Sequence, residues 1–213
     1  TNITACDSVV WNGTTYTQSG TYSYSSGGSN NNSMSFDGSN NYVNLGLFNN
    51  FNLNYNSTSI TAILKVNVSQ FGYQNGESYI FGTPMFGGNN DEGFRIETKS
   101  NNTFGVAAGG NSNIVYTYSG NKQSNTWYDV AMVLDQTQDI IYLYVDGVLE
   151  SQVSISQIGT INNAGNLNIG AFENGNWIGN VFSGIVDDAS IWNTALTQQE
   201  IQNYMNCPPV GNE

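Results

Sequence analysis

Two antiparallel sheets packed as a jelly-roll sandwich, closed by one short C-terminal helix, form the all-β fold that this 213-residue sequence predicts. Three observations carry the expectation. Short runs of β-branched and aromatic residues recur along the chain, separated by clusters of Gly, Asn and Ser that favour turns. Two central runs are apolar on both faces, which suits strands in the middle of a two-sheet sandwich. One segment near the C-terminus carries a helix start signal with an apolar helical stripe behind it.

The elements follow in order. Asn12-Gly13 lies between the β-formers of 9–16 and marks a hairpin. Residues 25–32 are Ser, Gly and Asn and read as a flexible stretch. Residues 1–32 are therefore expected to form a hairpin and flexible stretch packing on a body of 33–206, with Trp11 in that contact and 207–213 as a linker tail. Strands at 33–38 and 42–45 open the body. Over 60–68, Ile60, Ala62, Leu64, Val66 and Val68 alternate with the residues between them, so one face points inward. Strands are expected at 78–82, 93–98, 103–108 and 113–119. In 127–134, Val130, Met132 and Leu134 point one way and Ala131 and Val133 the other; 140–145 behaves alike. Asp146-Gly147 turns the chain into 148–154. The last strands are 166–171 and 181–192, and Trp127 and Trp192, being in strands, are expected in the core. Thr197 and Glu200 have capping-box spacing, with Ile201, Tyr204 and Met205 as the stripe behind them.

Composition narrows the function. Charged residues are 9% and aromatics 13% of the chain, the reverse of a disordered composition. The 16 acidic against 4 basic residues give a net charge of −12. Such a surface repels phosphate backbones and anionic lipid, so nucleic acid is not an expected partner. Membrane insertion is not expected either, because no apolar run is long enough to span. The acidity suits a hard cation such as calcium, and equally suits solubility alone. With no His and no CxxC spacing, Cys6 and Cys207 do not suggest zinc. They read as one disulfide tying the two ends in an oxidising compartment, two free thiols being the alternative. In the chain-entropy description that closure is worth about 4–5 kcal/mol. The expected location is secreted or at the cell surface, and the Cys-Pro-Pro tail suggests a module of a longer polypeptide.

Three ordered segments resemble the laminin-G-like (concanavalin A-like lectin) jelly rolls. Met34-Ser35-Phe36-Asp37-Gly38 through Tyr42-Val43 is similar to the family's opening "SFDGxxDYV". Trp127 to Ala131 with Tyr144-Val145-Asp146-Gly147 is similar to its middle. Gly184-Ile185-Val186-Asp187-Asp188 through Trp192-Asn193-Thr194-Ala195-Leu196, then Glu200-Ile201, resembles its "GxIDEVRIWNRALSxxEI" close. The stretch from Cys6 to Tyr22 and the tail also resemble a repeat of secreted multidomain surface proteins of Bacteroidetes. The first resemblance implies a structural calcium (Ca2+) where opening and closing strands meet, with Asp37 and Asp187 or Asp188 as ligands. Against it, Asp37 suits an Asp-Gly turn and Asp188 solvent.

The resemblance also implies a non-catalytic, calcium-supported carbohydrate-binding module with glycan as ligand. Sugars need flat aromatic faces beside planar amides and carboxylates. Trp177 with Glu173, Asn174 and Asn176 offers such a set, as do Asn89, Asn90 and Asp91 in one loop and Tyr73 in another. An adhesion or spacer module, with a protein partner or none, is the alternative reading. A polysaccharide lyase or hydrolase is the second alternative. The glucanase run of carboxylates on one strand is missing, and Asp91, Glu92 and Glu97 have the wrong spacing for it. Such an enzyme requires carboxylates or tyrosines from different strands to converge.

Overall fold

The computed structural model describes 33–51, 58–73, 76–85, 92–161, 165–173 and 178–206, and the backbone alone of 9–11 and 14–16. The chain divides into two units, 1–32 and 33–213. The first holds an antiparallel pair, β1 (Val9–Trp11) and β2 (Thr14–Tyr16), with Trp11 opposite Thr14; the expected Asn12-Gly13 turn lies outside the described residues. The packing side chains of this pair, Cys6 and Cys207 lie outside the described residues.

The second unit is a sandwich. Its strands are β3 (Met34–Asp37), β4 (Val43–Leu47), β5 (Ile60–Val68), β6 (Glu77–Gly82), β7 (Gly93–Lys99), β8 (Thr103–Gly109) and β9 (Ile114–Tyr118). They continue with β10 (Trp127–Asp135), β11 (Ile140–Val145), β12 (Val148–Ser154), β13 (Asn166–Ile169), β14 (Phe172–Glu173), β15 (Ile178–Gly179) and β16 (Ser183–Trp192). Helix α1 (Gln198–Asn206) follows. The first sheet runs β12-β11-β10-β5-β16-β3 and the second β4-β13-β6-β7-β8-β9, all pairings antiparallel.

The expected alternation builds the core. Ile60, Leu64, Met132, Leu134 and Leu143 of the first sheet meet Ile80, Phe94, Ile96, Phe104 and Val106 of the second, all buried. Edge-on ring contacts lock the layer, such as Phe71 on Phe104 and Phe48 on Phe94. Ala131, Val133, Ile63 and Tyr144 face the opposite way, as the double-sided pattern requires, but they are covered by α1 through Ile201. The capping box forms: Thr197 N–H donates to Glu200 Oε2 at 2.8 Å, and Glu200 N–H donates to Thr197 Oγ1.

Trp127 departs from expectation, being 42% exposed. It shares an outward face with Ala131 and Val133, but the cluster beneath the helix does not extend to it. Trp192 is half-buried and meets Tyr204 of α1 edge-on at 5.3 Å, so it seats the helix and does not fill the inter-sheet core.

A bulge shapes the closing strand. β16 pairs with β5 from Gly184↔Val68 to Asp187↔Lys65 and resumes at Ser190↔Ile63, one residue out of step. Asp188 sits there in the left-handed region, at φ 46°. Val186 and Ile191, five residues apart, consequently both turn to the same core.

Candidate functional site

The second sheet has no helix packed on its outer face among the described elements, and there the sequence sets polar and aromatic residues at period two. On β7, Phe94, Ile96 and Thr98 turn inward while Arg95, Glu97 and Lys99 turn outward. On β9 the outward pair is Tyr116 and Tyr118. Register joins them: Tyr79 pairs with Glu97, Glu97 with Gly105, and Gly105 with Tyr118. This row crosses four strands, or about 14 Å at ordinary strand spacing.

The row is layered. Gly105 and Ala107 of β8 form a floor without bulk. A methyl group at Gly105 would stand 2.7 Å from Tyr118 Cδ1, so glycine lets that ring lie close over the strand. Above the floor, Arg95 is 4% and Glu97 0% exposed. Arg95 Nε donates to Glu97 Oε2 at 2.7 Å, and its guanidinium lies 4.4 Å from the Tyr79 ring centre and 5.3 Å from that of Tyr116. Lys99 donates to Glu77 and stands 3.1 Å from Glu97 Oε1. Asn180 donates its amide to Glu77 Oε1 at 2.8 Å. The ion pairs thus close on one another, two cations against two carboxylates.

Tyr116 and Tyr118 form the top. Their rings are parallel within 7°, 6.5 Å apart, and 39% and 38% exposed. Lys99 Nζ lies within 6 Å of both ring centres. Burial pulls the Lys99 ammonium down, but the charge of Glu97 and hydrogen bonds to Glu77 and Glu97 outweigh it and hold the group above its ordinary range. Burial, then the charge of Glu97, pushes the Tyr118 hydroxyl up. Tyr79 is pushed well above the ordinary phenol range, chiefly by burial. The surface therefore offers two flat rings over a rigid ionic bed.

Of the residues expected at a sugar site, Asn89, Asn90, Asp91, Asn174, Asn176 and Trp177 lie outside the described residues. Strands β14 and β15 flank 174–177 as an antiparallel pair where the sequence suggested only a loop. Glu173 is buried, takes the Asn44 amide at 3.2 Å, and presents no open carboxylate to solvent. Its neighbour Phe172 meets Tyr79 edge-on, which places the hairpin beside the ionic bed. Tyr73 is exposed, but its ring lies against Gly38 and not over the outer face.

The three aspartates expected to hold calcium are not brought together. Asp37 pairs with Ser183, and Asp187 stands four residues further along β16, about 13 Å away at ordinary strand rise. Asp37 Oδ1 accepts from Ser39 N–H at 2.8 Å, and the Asn41 amide also donates to that carboxylate, as in an Asx turn. Asp187 pairs with Lys65 and accepts from Asp188 N–H. The trio does not fit one calcium shell, and no group of three or more metal-binding side chains occurs among the described residues. The Arg95–Glu97–Lys99 alternation was visible in the sequence and was the signal for this site; the partners on β6 and β9 were not.

Solved structures share this architecture. A heptameric SAP-like pentraxin from Limulus polyphemus is 19% identical, with TM-score 0.60 over 83% of this chain and 82% of its own. The carbohydrate-binding module CBM40 of the Ruminococcus gnavus IT-sialidase, bound to α2,3-sialyllactose, is 12% identical, with TM-score 0.64 over 80% and 95%. The NanB sialidase of Streptococcus pneumoniae is 18% identical, with TM-score 0.65 over 84% of this chain but only 28% of the enzyme. At such identities the likeness is one of fold. No curated protein matches the sequence. A laminin-G-type family model, described as the concanavalin A-like lectin/glucanases superfamily, matches residues 36–202, and the chain belongs to that superfamily.

Proposed function

We propose that this chain is a carbohydrate-binding module that seats its ligand on the outer face of the second sheet. The observation that carries the reading is the exposed, parallel Tyr116–Tyr118 pair set over the Lys99–Glu77–Glu97–Arg95 bed. Aromatic faces take the apolar side of a sugar ring, while fixed ammonium and carboxylate groups take its hydroxyls. That the Ruminococcus gnavus CBM40 module shares the fold supports the same class of ligand. The module belongs to an exported or surface polypeptide, in keeping with the Cys6–Cys207 pairing expected from the sequence; thiol titration before and after reduction tests that point. Calcium has no part in this reading, because the face already balances its own charge.

A glycan array followed by titration tests the reading. Binding should fall at least about tenfold in Tyr116→Ala/Tyr118→Ala and persist in Trp127→Ala on the other sheet. Loss in the Trp127 variant alone would move the site to the first sheet. An array without a hit would sink the reading in favour of an adhesion or spacer module.

One observation favours a lyase or hydrolase: carboxylates and tyrosines from three strands, β6, β7 and β9, do converge on this face. Three features weigh against it. Tyr79 and Tyr118 are pushed up and serve poorly as bases near neutral pH. Both cations are held by glutamates, leaving no free positive charge for a developing anion. Glu97 is fully buried beneath the rings and cannot flank a scissile bond.

A further inference from the structure

We infer that the saccharide bound on this face is neutral, and that glycans carrying carboxylate or sulfate are excluded. The inference rests on the carbohydrate-binding reading above and adds the charge class of its ligand.

Positive charge is sparse, since the chain has only four Lys and Arg residues. Arg95 and Lys99 lie in the face, and each is met there by both Glu77 and Glu97. Arg95 is also roofed by Tyr79 and Tyr116 and does not reach solvent, so its fork is closed to a carboxylate. Lys122 Nζ is 2.8 Å from Glu150 Oε1. Lys65 belongs to the first sheet, where it stands in register between Asp129 and Asp187. On this face no cation therefore remains to pair with an anionic sugar.

An anion brought to Lys99 would have to displace Glu77 and leave its carboxylate beside Glu97, a like-charge pair within a low-dielectric bed. It would also approach a protein of net charge −12. A neutral sugar meets neither obstacle. Its hydroxyls can donate to the outer oxygens of Glu77 and accept from Lys99 without breaking an ion pair. Selectivity of this kind works by penalising the wrong ligand as much as by favouring the right one.

The test uses probes matched apart from their acidic group: the methyl ester of 3′-sialyllactose against 3′-sialyllactose itself, and methyl-esterified against de-esterified oligogalacturonides. They are titrated into the wild-type chain by calorimetry and by amide chemical-shift mapping. The expected result is binding of a neutral member at least about tenfold tighter than its acidic partner, with less than about twofold change between roughly 50 and 500 mM salt. A second variant adds a gain of binding that a structural role would not produce. Glu77→Gln leaves the face with one net positive charge, and binding of the acidic probes should rise roughly three- to tenfold. Acidic probes bound in preference by the wild type would overturn the inference and leave the carbohydrate reading standing. Failure of every glycan, here and on the array, would remove the reading and the inference together. An unchanged acidic affinity in a folded Glu77→Gln variant would also overturn the inference.

Discussion

Substituting Gly105 separates the face's architecture from its function. The added methyl of Gly105→Ala would stand 2.7 and 2.8 Å from Tyr118 Cδ1 and Cε1, and 3.1 Å from Glu97 Cγ. Ordinary carbon contacts lie near 3.5–4.0 Å, so the ring must move by about 1 Å or leave. Tyr118 is 38% exposed at the edge strand β9 and has room to swing outward. Leaving forfeits its attraction to Lys99, roughly 0.5–1 kcal/mol. Ala in place of Gly in a strand returns a similar amount, about 0.5–1 kcal/mol, through the unfolded chain. Net stability should therefore stay within about 1 kcal/mol of wild type, or roughly 2–4 °C in Tm for a chain of this size. Binding should not survive so well, because one of the two rings is displaced: about tenfold weaker for the best neutral glycan. Thermal unfolding and calorimetric titration on the same sample measure both. Undiminished binding at unchanged stability would show that the Tyr118 position is no part of the ligand surface. Loss of more than about 3 kcal/mol would show that the ring cannot move and that the floor is a packing element first.

Other outcomes follow from the same geometry. Arg95→Met strands Glu97, fully buried, without its 2.7 Å partner, and should cost about 3–5 kcal/mol in urea unfolding. Arg95→Met/Glu97→Gln should recover a large part of that, and a double variant as unstable as the single one would refute the pairing. Because Lys99 is held above its ordinary range in the folded chain, its contribution is fully present below about pH 10.4 and is lost as pH rises through the raised value. The alkaline limb of stability against pH should therefore flatten in Lys99→Met, and an unchanged limb would place that titration elsewhere. Chelation with EDTA should leave Tm unshifted, since Asp37 and Asp187 do not share a shell; a fall of several degrees would reveal a native-state cation held by other residues.

Much of the fold could be read directly from the chain. Period-two patterning in β5, β10 and β11 assigned the core-facing residues, and Thr197 with Glu200 placed the start of α1. What sequence could not supply was register. Nothing in Tyr79, Glu97 and Tyr118 taken separately says that they stand in one row; only the pairing of β6, β7, β8 and β9 does. Arg95, Glu97 and Lys99 were legible as one face of one strand, yet a sparse set of cations draws attention away from ion pairing and towards loops rich in Asn. The aspartates of the opening and closing motifs misled for the converse reason. Motif order places Asp37 and Asp187 on neighbouring strands, but pairing sets them four residues apart along the ladder. Trp127 misled because a strand residue on an outward face is buried only as far as the covering helix extends.

The bulge at Asp187–Ser190 makes the length of the closing strand a matter of parity. Removing one residue there would not merely shorten a surface feature. It would return the ladder to a single phase, with Val186 and Ile191 four residues apart and both still facing the core, Ile191 opposite Ala62 as now. Removing two would set that pair three residues apart, on opposite faces of a regular strand, so that Ile191 would leave the core and Trp192 would turn away from Tyr204. Loss of the one extra residue should therefore be tolerated at this point and loss of two rejected, although both flanking segments are ordinary strand.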